Sequence, residues 1–267
     1  MGFLLGFFLR DGIHSRRTVW MTVLSLVPVG CALILLLVKP LLEREGVLLS
    51  ALYPQMSFFL FLHFLMPLMS VFIGTAVIGD EVEERTLPYL LVRPFPRWTI
   101  VVSKTLAGCI TVGSIIFISM VLTYSIMVIS GGFKAWIADV PTLLQSLGVL
   151  YLGLLVYIPF FGLLGGTIKR PVLAGLLFSF GWENTVGMFP GNVKLLTVVH
   201  YLHVLFPSLR STRMGDVVKS KLFEIVLPTQ NISTFTSILI LLGMSAVFIG
   251  LAVSLLYLKE YRLEQSE

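Results

Sequence analysis

Five polar residues lie within or beside long apolar stretches, where side chains that bind protons or ligands are uncommon. His63 lies in one apolar run, shortly before Pro67, and Glu183 lies near the end of another. An ionisable group at membrane depth is costly unless it meets a partner or water, so these residues are candidates for a transport pathway. The candidate pathway or outer gate comprises His63, Glu183, Asn184, His200 and His203.

The same residues can have other roles. His63 can be a neutral imidazole that is hydrogen-bonded to a neighbouring helix. Glu183 can line an outer vestibule, pair with His200 or His203, or brace the outer helices. The residue types do not decide between these alternatives.

Motifs for catalysis and for nucleotide binding are absent from the sequence. The stretch "GGTIKR" at 165–170 lacks the spacing and the hydroxyl of a P-loop, and neither His-Glu-x-x-His nor Gly-x-Ser-x-Gly occurs. Cys31 and Cys109 both lie in apolar stretches, which disfavours a disulfide or a zinc site. We expect a non-catalytic chain that binds no metal, no ATP and no cofactor of its own.

The segment "GDEVEERTLPYLLVRPFPRWTIVVSK", residues 79–104, concentrates charge between two apolar runs. Acidic residues open the segment, which suits the positive end of a helix dipole. Leu87, Leu90 and Leu91 then recur at helical spacing before prolines interrupt the pattern. The spacing predicts a short cytoplasmic helix whose apolar face needs a partner chain.

Composition places these segments in a membrane protein. Hydrophobic residues make up 57% of the 267 residues and charged residues 12%, against about 25% charged in a typical soluble domain. Apolar runs long enough to cross a bilayer predict an all-α integral membrane protein with six transmembrane helices. The runs fall at 18–38, 56–79, 99–130, 142–167, 172–189 and 234–258.

The whole chain, 1–267, is then one transmembrane domain with three added segments. Residues 1–17 are predicted to form an amphipathic helix in the headgroup plane, with a plain extension of the first span as the alternative. Residues 80–98 form the cytoplasmic segment between spans two and three. Residues 190–233 form an outer segment with short helices that lie against the outer leaflet or dip into it.

Basic residues orient the predicted spans. Lys and Arg lie at the ends of apolar runs rather than in a cluster, so the net charge of +5 reflects membrane orientation and not nucleic-acid binding. More of them fall inside when both termini are cytoplasmic, and the tight loop at Lys169 and Arg170 supports that orientation. We expect a multi-pass protein of a bacterial or archaeal inner or plasma membrane.

The charged segment resembles the cytoplasmic loop of ABC type-2 transporter permeases. Many members have Gly-Thr-Leu where this chain has Arg85, Thr86 and Leu87. At the level of topology the resemblance covers the whole chain, and "FGWENTVGMFPGN" at the outer end of span five is similar to some members. The matched residues are Glu81, Glu84, Thr86, Leu87, Leu91, Pro94, Arg97 and Lys104.

The resemblance implies that this segment is the coupling helix that docks into a cleft on a separate ATP-binding subunit. ATP and magnesium would be bound by that partner. The residues expected to couple to it are Asp80, Glu81, Glu83, Glu84, Arg85, Thr86, Leu87, Leu90, Leu91, Arg93 and Arg97.

Further partners follow from the same resemblance. Six spans are too few to enclose a path, so a second permease protomer, as a homodimer or as a heterodimer with a similar permease, would join two ATP-binding subunits. Membrane lipids surround the complex, an outer-side accessory protein is a further candidate, and nucleic acid is not expected. Closure of the ATPases would move the coupling helices, and the movement would pass through spans two and three.

The function implied is export of an amphipathic or lipid-like substrate, because the spans are rich in Phe, Leu and Met. Two alternatives stay open. A permease-like transmitter would relay ATP-driven motion to an outer-side protein through residues 190–233 without moving cargo. An ion-coupled carrier or channel would use His63 and Glu183 and need no ATPase.

Overall fold

The computed structural model describes residues 2–44, 49–83, 96–129, 132–188, 192–207 and 233–263. Within these ranges the chain is helical and contains no strand. The elements in chain order are α1 (Gly2–His14), α2 (Arg16–Arg44), α3 (Leu49–Met56), π1 (Ser57–Leu65), α4 (Met66–Glu83), α5 (Arg97–Val128), α6 (Phe133–Thr167), α7 (Pro171–Leu176), π2 (Leu177–Trp182), α8 (Glu183–Met188), a 3-10 helix (Asn192–Leu196), α9 (Val198–Leu205) and α10 (Thr234–Leu263).

Five helical stretches of the described chain are long and apolar enough to cross a membrane. They are Arg16–Leu42, Leu52–Asp80, Trp98–Val128, Trp136–Thr167 and Thr234–Tyr257. Following the predicted orientation, we call the end of the bundle with Arg17, Asp80 and Lys104 the inner end, and the end with Leu205 the outer end.

The predicted fifth span, 172–189, differs from the other five. Its apolar part, Pro171–Trp182, is shorter than a bilayer crossing requires, and the helix continues into α8 through the buried carboxyl of Glu183. The apolar run ends there because Glu183 is the first ionisable residue after Pro171. Six spans and cytoplasmic termini therefore stay predictions.

Helix α6 is the centre of the fold. It packs against α4, α5 and α10, and its side chains at Leu154, Tyr157 and Phe161 are fully buried. The first and last spans are peripheral, with large apolar side chains such as Leu37 on the surface. Those surfaces suit lipid, since hydrocarbon chains solvate an exposed leucine as well as another helix does.

Glycines bring α4 and α6 into backbone contact. A Cβ atom at Gly74 would lie 2.7 Å from the Cβ of Phe161 and 2.9 Å from the carbonyl oxygen of Ile158. A Cβ atom at Gly165 would collide with the carbonyl oxygen of Thr75. Small residues at such crossings allow the close van der Waals packing on which helix association in membranes depends. Helices α4 and α6 thus form one closely packed pair.

The N-terminal segment forms its own helix. Helix α1 ends at His14, and α2 begins after Ser15, where the Thr18 hydroxyl donates to the Gly12 carbonyl oxygen at 2.5 Å. α1 packs against α5 and buries Leu4, while Phe7 is exposed. An amphipathic helix with one packed and one exposed apolar side is compatible with the predicted interfacial position, which stays a prediction.

The α4–α6 contact generates a stability prediction. Gly165→Ala should lower the stability by about 1–3 kcal/mol, because the new methyl group overlaps the Thr75 carbonyl and the backbones must separate. Gly250→Ala in α10 is the matched control, since a Cβ atom there meets nothing within 4 Å. Melting temperatures in detergent compare the two variants, and equal shifts would contradict close packing at Gly165.

Candidate functional site

An ion pair joins two helices at the inner end. Nη1 of Arg17, at the start of α2, donates to both carboxylate oxygens of Asp80, at distances of 2.9 and 2.8 Å. Asp80 lies near the end of α4, where the predicted coupling segment begins. Both side chains are partly exposed, so the pair contributes little to stability and its effect is mainly positional.

Lys104 makes a second set of contacts at the same end. Its Nζ donates to the carbonyl oxygen of Val77 at 3.3 Å and lies 5.4 Å from the ring centre of Phe8. One lysine of α5 thereby contacts α4 and the N-terminal helix α1, through a hydrogen bond and a cation–π contact. With the ion pair of Arg17, these contacts hold both flanks of the predicted coupling segment.

Most of the predicted coupling residues fall outside this description. Asp80 is placed by its ion pair. Glu81, Glu83 and Arg97 belong to α4 and α5, and only their backbone is described. The others lie outside the described residues: Glu84, Arg85, Thr86, Leu87, Leu90, Leu91 and Arg93. Their role as a coupling helix stays a prediction.

Glu183 connects three elements in the outer half of the bundle. Its carboxyl group is buried, and Oε2 accepts a hydrogen bond from the Tyr157 hydroxyl of α6. The same oxygen accepts the backbone N–H of Val199, in the first turn of α9, at 3.3 Å. An acidic side chain at a helix N-terminus satisfies amides that have no partner within the helix. Among the described residues, the other oxygen, Oε1, has no hydrogen-bond partner.

His63 and His203 contact each other directly. Their Nε2 atoms lie 2.9 Å apart, and Nδ1 of His63 lies 3.2 Å from the carbonyl oxygen of Phe58. Because a carbonyl oxygen can only accept, Nδ1 of His63 carries the proton. Neutral His63 then has a free lone pair on Nε2, so the Nε2–H of His203 donates to it.

Aromatic rings surround this imidazole pair. The ring centre of Phe58 lies 4.6 Å from that of His63 and 4.9 Å from that of His203. Phe206, directly after α9, stands edge-on to Phe58 at 5.6 Å. The pair therefore lies in mostly apolar surroundings, where an unpaired imidazole would be costly.

The short helix α9 is buried between the spans. His200, Tyr201 and Leu202 are among its buried residues, and the Gln145 amide of α6 donates to the Leu205 carbonyl oxygen at 3.0 Å. Of the predicted outer segment 190–233, residues 192–207 and 233 are described. Helix α9 packs against α6 and α10, whereas Val193 and Leu196 of the preceding 3-10 helix are exposed. The position of this segment relative to the outer leaflet stays a prediction.

The structure brings together two of the five predicted pathway residues. His63 and His203 are brought together, while the hydrogen bonds of Glu183 go to Tyr157 and α9, which corresponds to the bracing alternative. His200 packs its ring against Tyr201 at 5.5 Å, and only the backbone of Asn184 is described. Whether these residues line a pathway stays a prediction.

Sequence reasoning did not identify Arg17 or Tyr157. Arg17 entered only the count of basic residues, and Tyr157 is one of several aromatic residues in an apolar run. No local pattern could have found either, because their partners lie 63 and 26 residues away.

Two features bear on the chemistry of these groups. The described part of the chain holds no cluster of three or more His, Cys, Asp or Glu residues positioned for a metal ion.

The histidine pair and the Glu183 contact at the outer end both involve π-helical segments, since His63 lies in π1 and Glu183 directly follows π2. Such segments shift the register of a helix and are frequent at functional sites.

A family model described as "ABC-2 family transporter protein" matches residues 9–262, which is nearly the whole chain. No curated protein matches the sequence.

The Glu183 contact generates a prediction about stability. Tyr157→Phe should cost about 1–3 kcal/mol, because the buried carboxyl oxygen loses its hydroxyl donor. Tyr151→Phe is the matched control on the same helix, since the Tyr151 side chain is partly exposed. Thermal unfolding of both variants in detergent is the measurement, and an unchanged melting temperature for Tyr157→Phe would contradict a bracing contact.

Proposed function

The chain belongs to the ABC-2 transporter family, and we propose that it couples ATP hydrolysis by a separate nucleotide-binding subunit to export of an amphipathic or lipid-like substrate. Its apolar helices and its family make it a multi-pass transmembrane permease. Members of this family are typically non-catalytic membrane components, and they work in ABC transporters with an ATP-binding partner. Coupling, substrate class and export are parts of the proposal.

The observation that carries the proposal is the set of contacts at the inner end. Asp80 is held by Arg17, and Lys104 holds the carbonyl of Val77 and the ring of Phe8. Residues 80 and 104 flank the segment that resembles a coupling helix. A force applied to that segment by a partner would therefore act on α1, α2, α4 and α5 together.

The close packing of α4 supports a route for that force. The glycine contacts at Gly74 and Gly165 attach α4 to the central helix α6. The sequence analysis predicted that spans two and three transmit the movement of the coupling helices. The geometry favours spans two and four, because a backbone-to-backbone contact leaves little room for one helix to slide on the other.

The proposed coupling implies the remaining parts of the complex. Two ATP-binding subunits, with ATP and magnesium bound to them, would dock on two copies of this chain. Their closure would draw the two coupling segments together and open a cavity between the protomers. Apolar side chains dominate the described surfaces of the spans, which suits a cargo with a hydrocarbon part better than a sugar or an ion.

A second candidate function has its own support at the outer end. Helix α9 is attached to α6 through Glu183 and Gln145 and to π1 through His63. Movement of the α4–α6 pair would reach residues 190–233 through these contacts. A transmitter that acts on an outer-side protein without moving cargo would use the same geometry.

Recovery of an ATPase with the tagged protein tests the docking of the coupling segment. A Leu87→Asp, Leu91→Asp double variant should lose the ATP-binding chain that the wild type recovers, because two carboxylates would have to be buried at the contact. Ile168→Asp is the control, since it places an acid on an exposed residue of the neighbouring inner loop. Transport without any ATP-binding chain would contradict the proposal.

The ion pair of Arg17 generates a second functional prediction. Arg17→Asp should lower substrate-stimulated ATPase activity by about threefold to tenfold while stability changes by less than about 1 kcal/mol, since the pair is partly exposed. The exchange Arg17→Asp with Asp80→Arg should restore coupling. Arg16→Asp controls for net charge, and a loss of equal size in that variant would argue against a role for the pair.

A further inference from the structure

The imidazole pair of His63 and His203 joins two parts of the fold that are 140 residues apart in the sequence. His63 belongs to the π-helical segment of the second span, and His203 belongs to the last turn of α9. In the neutral pair, one N–H lies between the two Nε2 atoms, because Nδ1 of His63 already carries its proton toward Phe58. This contact closes the outer end of α9 onto span two.

The closed pair can bind only one proton beyond those of the two neutral imidazoles. One added proton can be accommodated, because His63 can then donate through Nε2 while His203 moves its own proton to Nδ1. A second added proton leaves an N–H on each Nε2, with no lone pair between atoms 2.9 Å apart. Two like charges would also face each other in mostly apolar surroundings. Full protonation is therefore incompatible with the contact.

Among the described residues, few other titratable groups lie near α9. His200 and Tyr201 lie on the helix itself, and Glu183 of α8 with Tyr157 of α6 lies at its first turn. The rings against the pair belong to Phe58 and Phe59, and Phe206 packs against Phe58; none of them carries a charge. The imidazoles have ordinary pKa values near neutrality, at about 6.5, and a buried carboxyl such as that of Glu183 can titrate in the same range.

Helix α9 is short, and residues with extended backbone conformations bound it on both sides. Thr197 before it and Phe206 after it both have extended backbone conformations, with ψ angles of 137° and 139°. The helix is thus bounded on each side by a residue with non-helical dihedral angles, and the Phe206 N–H still donates to the Leu202 carbonyl oxygen. Loss of the imidazole contact would detach the last turn from span two, while the Gln145 hydrogen bond to Leu205 keeps that turn on α6 and Glu183 still holds the first turn.

We propose that His63 and His203 form a proton-binding site that releases the outer end of α9 from the second span when both imidazoles become protonated. The proposal concerns a conformational equilibrium of this chain alone. It can be tested without an ATPase or a substrate, so it stands or falls independently of the proposed function.

The sign and size of the effect follow from proton counting. The released state binds up to two added protons and the closed state at most one, so acid favours release. Because the released state can bind one more proton than the closed state, the ratio of released to closed protein should rise on the order of tenfold to a hundredfold between about pH 7.5 and 5.5.

Amide hydrogen exchange of α9 at the two pH values measures this ratio, after correction for the intrinsic pH dependence of exchange. The measurement uses full-length protein with His200→Gln, which removes the third imidazole, in detergent with a metal chelator. Protection of the last turn of α9 should fall at least tenfold on acidification. Adding His203→Gln should reduce that change to less than about threefold, because an amide can hydrogen-bond to His63 without titrating in this range.

Controls separate the pair from its neighbours. If His203→Gln reduces the yield of folded protein, His63→Gln tests the same contact from the second span. Tyr201→Phe changes α9 without removing an imidazole and should leave the pH response in place. Constant protection between the two pH values, or a full response after His203→Gln, would overturn the proposal. Zinc-dependent protection that requires both histidines would overturn it as well, because the pair would then be a metal site.

Discussion

Hydrogen bonding in the absence of water is the constraint on which this structure depends. Within hydrocarbon each backbone and side-chain polar group must find its partner in the protein, which leaves the helix as the spanning element. Several hydroxyls of the spans follow the same rule. Ser70 donates to the Met66 carbonyl and Thr75 to the Val71 carbonyl, each at 2.7 Å. Ser245 of α10 donates instead to Leu155 of α6 and so attaches the last span to the central helix.

The same constraint explains why the few ionisable groups determine how the non-spanning segments are held. Glu183 satisfies an amide of α9 that the helix itself leaves open. His63 and His203 form a hydrogen bond with each other beside the ring of Phe58. At the inner end, Arg17 and Asp80 remain in contact with water, so their pairing sets positions more than stability. Polar contacts thus fasten α9 to the spans at the outer end and join the first two spans at the inner end.

Between those ends, helix packing supplies mechanical continuity. Apolar side chains gain little by leaving lipid for another helix, so association depends on close van der Waals contact. Glycines at 74 and 165 provide that contact between α4 and α6. A permease that responds to a partner at one end needs a rigid element that reaches the other end, and the α4–α6 pair has that length and closeness of packing.

Composition and pattern determine a large part of this protein. The lengths of the apolar runs predicted an all-α membrane protein, and five of the six predicted runs coincide closely with described spans, such as 56–79 with Leu52–Asp80. The motif in the charged segment led to the family that the comparison confirmed. These properties are local, because the length and hydropathy of a segment decide whether it can cross a bilayer.

The contacts of the candidate sites were decided only by the tertiary structure. Glu183 meets Tyr157 across 26 residues, Arg17 meets Asp80 across 63, and His63 meets His203 across 140. Each pair depends on how helices cross and on where α9 enters the bundle. The sequence could name His63, His203, Asp80 and Glu183, since charge in an apolar chain stands out. It could not pair them, because hydropathy and spacing contain no information about which faces of distant helices meet.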